Sequence, residues 1–234
     1  MITVEYLDKL NKSTELQALE WDKCKNDPYY WMTTWARTIN THYTEWEDPN
    51  KTFPDKEYLR IIVDKFINSK ILFIPKTRQM MLSWAMIALF LHEVQFHEAK
   101  MVAFQSKDKD SADYLIKRLK TIWDNEPEFL KKYHKNWEVI KLIPNPQNKW
   151  LHTYCKFDLP MIDSMIIWVA QGGDVLRMHT FSWVFSDEAA FQPEMKSAYT
   201  GLKPTLSWWW RLVCVSTAEG NTWFDDAITD SLIM

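Results

Sequence analysis

Residues 71–84, ILFIPKTRQMMLSW, combine the residue types that hold phosphate: an apolar strand, a tight polar loop and the start of an apolar helix. In that arrangement backbone N–H groups at a helix N-terminus meet an anion, and a lysine and a hydroxyl finish the cradle. Aligning Ser83 with the hydroxyl of G-x-x-x-x-G-K-[ST] puts Lys76 on the first glycine, Met81 on the second and Leu82 on the lysine. Either the pattern is accidental, or the positive charge has moved to Lys76 and Arg78. The expected cradle runs through Lys76, Thr77, Arg78, Gln79, Met80, Met81, Leu82 and Ser83.

A second run, residues 181–188 (FSWVFSDE), ends an apolar strand in two adjacent carboxylates. An acid at a strand tip can hold Mg²⁺ opposite the Ser83 hydroxyl, and the next carboxylate, projecting the other way, can polarise an attacking water. Asp187 is therefore the expected metal-side residue and Glu188 the expected general base. The string alone also fits a strand running into a helix whose first turn carries acids. A third run, residues 211–220 (RLVCVSTAEG), ends an apolar strand in Ser216 and Thr217. Their hydroxyls either reach a terminal phosphate or its water, or cap the following turn.

These residues need elements to position them. Residues 1–54 show short helical patterns at 14–25 and 28–41 and end in a polar, proline-containing run, a small helical preface with a linking loop. From residue 55 strands and helices alternate. Residues 56–68 read as a helix with Tyr58, Ile61, Ile62, Lys65 and Phe66 at helical spacing. Strands are expected at 71–74, 101–105, 165–170, 181–185 and 211–215, and helices at 83–97, 108–124, 126–134 and 193–202. The helix at 83–97 is apolar on most faces and is expected in the interior. Strands apolar throughout and separated by helices imply an α/β fold with a mostly parallel sheet covered on both faces, which binds ligands at the strands' carboxyl ends.

Composition narrows the classes. A chain of 234 residues, 47% apolar and 25% charged, suits one large soluble domain, with or without a small appendage. A net charge of −3 excludes a global basic field, so any nucleic-acid contact falls to a local patch or to other subunits. Lys117, Arg118 and Lys120 form one basic strip, and Lys131, Lys132, His134 and Lys135 another, each also readable as a solvated face. No apolar stretch reaches bilayer length and the N-terminus lacks a signal pattern, so no membrane association is expected. Cys24, Cys155 and Cys214 are widely separated, which fits free thiols and argues against a structural zinc. His92 and His97 read as surface or satisfied residues. The run Trp208–Trp210 reads as a strand entering the core or as a partner-facing patch.

Taken in order, PKTRQMMLSW, WVFSDEAAF and VCVSTAEG resemble the ATPase half of large terminase subunits, the motors that package DNA into phage heads. Arg78-Gln79 ahead of Ser83 looks like the R-Q-x-G-x-S/T form of their phosphate loop, and Asp187-Glu188-Ala189-Ala190-Phe191 like their acidic motif. Ser216-Thr217-Ala218 is similar to their coupling motif, and residues 172–177, ending in Arg177, resemble a further family segment. The resemblance covers about residues 55–224.

It implies a P-loop NTPase of the RecA-like additional-strand class, with an N-terminal helical lid over residues 1–54 and the core at 55–234. It also implies an RNase H-like nuclease domain that this chain, read as a shortened form, is expected to lack. The implied reaction is Mg²⁺-dependent ATP hydrolysis driving double-stranded DNA into a procapsid in the host cell cytoplasm. The implied partners are a portal protein, a small terminase subunit and identical subunits in a ring on the portal. Lys76 stands where some family members carry the loop lysine. Arg78 either binds phosphate or pairs with a carboxylate, Arg177 is a candidate sensor or arginine finger, and Tyr58 or Arg60 could meet the base. Two other readings remain: another DNA-dependent motor such as a helicase-like translocase, or a nucleotide-binding or structural module without catalysis, which the departures at Met81 and Leu82 would permit.

Overall fold

The computed structural model describes residues 3–39, 48–77, 81–131, 142–144, 152–154, 156–168, 180–206, 211–217, 220 and 222–233. Three helices come first: α1 (Val4–Lys12), α2 (Thr14–Asn26) and α3 (Pro28–Thr34). Each begins at a side chain that accepts a hydrogen bond from its first turn: Thr3, Ser13 and Asp27. α3 stops at Thr34, seven residues short of the expected end. The β-branched Thr38 and Ile39 leave the helix for a short strand, β1 (Arg37–Ile39), which pairs antiparallel with β2 (Asn50–Thr52). Then follow α4 (Glu57–Asn68), β3 (Ile71–Lys76), α5 (Leu82–Phe96), β4 (Met101–Gln105) and α6 (Lys109–Asp124). After a small antiparallel pair, β5 (Leu142–Pro144) with β6 (His152–Tyr154), come β7 (Lys156–Leu159), β8 (Ser164–Trp168), β9 (Trp183–Asp187), α7 (Met195–Leu206), β10 (Arg211–Thr217) and α8 (Trp223–Ile233).

The main sheet has six strands in the order β3-β10-β9-β4-β8-β7, parallel except for β7, which returns antiparallel to β8. Its strands alternate between two buried clusters. Val213 and Val215 of β10 and Phe185 of β9 face one side; Leu212, Cys214 and Val184 face the other. Both faces are therefore covered, and every buried strand reads as apolar throughout. Pro75, which has no N–H to donate, sits in β3 at the sheet's edge, where a missing ladder donor is tolerated.

α5 carries 13 buried residues and lies between the sheet and the helices α3 and α6. α4 buries Leu59, Val63 and Phe66, spaced i, i+4 and i+7; the expected face is off by one residue, and Ile61 is exposed. Phe66 stacks on Trp183 at 4.4 Å and meets Phe90 edge-on at 5.1 Å, tying α4 to β9 and α5. Cys24 and Cys214 are buried free thiols, and His92 is buried with Nε2 2.8 Å from the Cys24 carbonyl.

The N-terminal helices share the core. Leu10, Cys24, Trp31, Met32 and Trp35 lie in the same cluster as the buried face of α5. Two buried carboxylates fasten them. Glu20 accepts from Tyr6 Oη at 2.7 Å, Tyr30 Oη at 2.6 Å and Trp35 Nε1 at 2.9 Å. Glu126, just past α6, accepts from Trp31 Nε1 at 2.6 Å and from Gln95 Nε2 of α5 at 2.8 Å. A buried carboxylate needs such donors to offset its lost hydration.

Burial pushes Glu126 up from 4.5 to about 7, while its two hydrogen bonds pull the other way. Between those pH values the folded chain holds a proton that the unfolded chain has released, so stability falls as pH rises through the window. Glu126→Gln cannot ionise and should remove this part of the fall. The stability of the variant relative to wild type should grow between about pH 4.5 and pH 7, by up to about 3 kcal/mol, read from urea midpoints. A difference that stays flat across that range would reject the assignment.

Candidate functional site

Sheet register brings the chemistry together. β10 runs between β3 and β9, with Thr217 opposite Lys76 and Val215 opposite Asp187, so the carboxyl ends of three parallel strands lie side by side. β3 delivers Lys76, β9 delivers Asp187, β10 delivers Thr217, and the first turn of α5 delivers Ser83. A cleft of about 1030 Å³ opens over these ends. Its other walls come from the β1–β2 ribbon, through Thr38 and Lys51, and from α6, through Ser111, Tyr114, Leu115 and Arg118.

Lys76 is the centre of the site. Its Nζ lies 3.0 Å from Asp187 Oδ1, 3.0 Å from Glu188 Oε1 and 3.1 Å from Ser83 Oγ. Ser83 Oγ donates to Asp187 Oδ1 at 3.2 Å. The Lys76 and Asp187 side chains keep only 11% and 10% of their accessible surface, so the charge cluster is largely shielded from water. Screening is weak there, and the pairs are held more firmly than surface ion pairs.

Leu82, at the position where the common motif carries lysine, is 2% exposed and belongs to the core cluster. A lysine there would be buried among apolar groups, whereas Lys76 reaches Ser83 and Asp187 from the strand side. Met81 lies in the left-handed region, φ 54° and ψ 14°. That conformation suits glycine, and methionine adopts it here at a cost of about 1–2 kcal/mol. No side chain caps the first turn of α5, which lines the cleft. Its leading N–H groups and the helix dipole favour an anion.

Glu188 also departs from strand geometry, at φ 52° and ψ 44°. Alternation along the strand therefore ends at Asp187. The two carboxylates do not project oppositely, as expected for adjacent strand residues, but converge on Lys76. Glu188 Oε2 also lies 3.4 Å from both the N–H and the hydroxyl of Thr217. Gln192, buried and absent from the sequence reading, donates from Nε2 to the Asp187 carbonyl and to Ser186 Oγ, each at 2.9 Å, and so pins the turn.

The two hydroxyls of β10 part company. Thr217 lines the cleft; Ser216 is fully buried and its Oγ accepts from the Ala190 N–H at 3.1 Å. Ser216 thus fastens the turn after the acidic pair and does not face the cleft, as strand alternation requires. Thr77 lines the cleft. Tyr58 packs against the main core cluster and is not among the cleft's lining residues, and Arg60 is paired with Asp55 at 2.9 Å over the Tyr29 ring. Arg78, Gln79, Met80 and Arg177 lie outside the described residues, as do Cys155, the glycine turn at 171–174 and Trp208–Trp210.

Arg118, read from sequence as part of a basic strip with Lys117 and Lys120, turns inward. Lys117 and Lys120 are exposed, whereas Arg118 is half-buried and lines the cleft. The signal was present: Ser111, Leu115 and Arg118 follow helical spacing on one face of α6. In the second strip Lys131 is 5% exposed, paired with Glu128 at 3.0 Å and set over the Trp123 ring; the rest of that strip lies outside the described residues. Among the described residues no group of three His, Cys, Asp or Glu is placed to hold a metal, and no helix is long and apolar enough to cross a membrane.

The left-handed backbone at Met81 is open to test. A β-branched residue tolerates that conformation worst and glycine best. Met81→Val should therefore be less stable than Met81→Gly by about 1–2 kcal/mol in urea unfolding. Equal stabilities would mean that the residue is not held at positive φ.

No protein-family model matches the sequence, and no curated protein matches it. Solved structures do. The large terminase of bacteriophage HK97 superposes with a TM-score of 0.61 at 10% identity, over 88% of this chain and 42% of that one. The large terminase ATPase domain of Thermus phage P74-26, in a point-mutant form, superposes with a TM-score of 0.52 at 18% identity, over 74% of this chain and 69% of that one. The chain thus spans less than half the length of the HK97 protein. With its mostly parallel six-stranded sheet flanked by helices, the chain has the P-loop NTPase fold seen in the ATPase domains of phage large terminases.

Proposed function

We propose that this chain is the ATPase motor domain of a phage large terminase, hydrolysing ATP to drive double-stranded DNA into a procapsid. The carrying observation is the convergence of Lys76, Ser83, Asp187 and Glu188 within 3.0–3.2 Å contacts at the carboxyl ends of parallel strands, beside the uncapped start of α5. The fold shared with terminase ATPase domains supports the same reading. A portal protein, a small terminase subunit and sister subunits in a ring are the partners this function calls for.

A triphosphate entering the cleft meets the N–H groups of α5 and competes for the Lys76 ammonium. Lys76, partly withdrawn from Glu188, neutralises phosphate charge, and Glu188 is freed to accept a proton from the attacking water. The Thr217 N–H and hydroxyl remain beside Glu188 Oε2 and keep the carboxylate aimed. The Ser83 hydroxyl and Asp187 carboxylate form an oxygen pair of the kind Mg²⁺ takes, since that ion uses one or two protein oxygens together with phosphates and water. When bound, Mg²⁺ would neutralise charge developing on the phosphate oxygens. Ser216 and Thr217 lie on one strand, so a change at Glu188 is felt both at the cleft and at the turn that Ser216 fastens.

Glu188→Gln should lower steady-state phosphate release by about 10²–10⁴-fold while ATP binding persists. Lys76→Ala should weaken ATP binding itself. Phosphate release measured with and without duplex DNA, beside equilibrium nucleotide binding, checks both. Unchanged turnover in Glu188→Gln would sink the base assignment, and ATP binding with no release by the wild-type chain would point to a module without catalysis.

A further inference from the structure

Besides Lys76, the cleft is lined by Lys51, Lys107 and Arg118, which the mechanism above leaves unused. Arg118 projects from α6, half-buried, with its guanidinium 5.5 Å from the centre of the Trp84 ring. Among the described residues it makes no ion pair. Lys76 is committed to two carboxylates, and Lys107 sits at the exposed mouth over Phe191. Burial pulls the Arg118 pKa down and the Asp187 charge pushes it up, so the guanidinium is partly desolvated and lies within electrostatic reach of the acidic strand tip. A partly dehydrated guanidinium whose electrostatic partner Asp187 is already bound to Lys76 gains from an anion that comes to it.

The platform matters as much as the charge. Trp84 follows Ser83 directly on the first turn of α5, so the ring that orients Arg118 is attached to the turn that would cradle phosphate. A tryptophan face holds a guanidinium in a fixed plane and leaves its fork of N–H donors free for two oxygens. Leu82 supplies no cation there, being buried in the core.

We propose that Arg118 binds the terminal phosphate of a nucleoside triphosphate from the α6 wall, acting within the same chain, and that this contact distinguishes triphosphate from diphosphate. The proposal rests on the ATPase reading above. Electrostatic reach to Asp187 from the wall of the same cleft favours the terminal phosphate, because Asp187 and Glu188 mark where the bond to water forms. A second cation also accounts for how a loop with leucine in the lysine position retains enough positive charge.

The test compares wild type, Arg118→Ala, Arg118→Lys and Lys76→Ala as full chains, by calorimetric binding of ATPγS and of ADP in the presence of Mg²⁺. Arg118→Ala should lose about tenfold or more in ATPγS affinity with ADP affinity little changed, and Arg118→Lys should recover only part of it, because an ammonium cannot form the planar two-point contact. Retained ADP binding shows that the variant is folded. Equal ATPγS affinity in wild type and Arg118→Ala would overturn the assignment, as would a parallel loss of both nucleotides. Failure of wild type to bind either nucleotide would instead remove the ATPase reading, and the inference with it.

Discussion

A single ammonium group organises the site. Lys76 stands at the end of an edge strand and touches two carboxylates and a hydroxyl carried by two other elements. Without it, Asp187 and Glu188 would repel each other across a space largely shielded from water. Sheet register sets Thr217 beside Lys76 and Val215 beside Asp187, the turn after β9 swings Glu188 back, and the αL residue at Met81 starts α5 where Ser83 can reach the same point. The parallel sheet and its interior helix are in this sense the frame for one charge cluster.

Much of that frame could be read from the residues. Strands buried on both faces are apolar throughout, so β3, β4, β9 and β10 stand out against their polar flanks, and α5 is apolar enough to declare its interior place. The acids and hydroxyls at the strand tips stood out for the same reason, lying where an apolar run gives way to polar letters. What escaped were features set by tertiary partners. β1 and β7 are short, and each exists by pairing with a neighbour. The buried face of α4 is set by Trp183 and Phe90, which no local periodicity contains. Arg118 carries the same letter whether it faces water or a cleft, and only its place relative to Leu115 and Leu119 separates the two.

The missing glycine is instructive in another way. A letter pattern treats Met81 as a loss, yet its backbone keeps the left-handed angle for which glycine is ordinarily chosen. The loop demands a dihedral angle, and methionine meets it at a cost in strain. Leu82 shows the complementary case: it is buried in the core, and the ammonium beside Ser83 and Asp187 comes instead from the strand's last residue.

The buried carboxylate at Glu126 bears on where the chain can be divided. The change in composition near residue 54 suggests a small preface joined to a larger body, but Glu126 binds the Trp31 indole on one side and the Gln95 amide on the other. A shortened protein beginning at residue 55 would strip the cover from α5, remove the Trp31 donor to Glu126 and take away the ribbon wall of the cleft. The first helices are therefore packed into the same core as the larger body, and what looks like a preface is one of its structural supports.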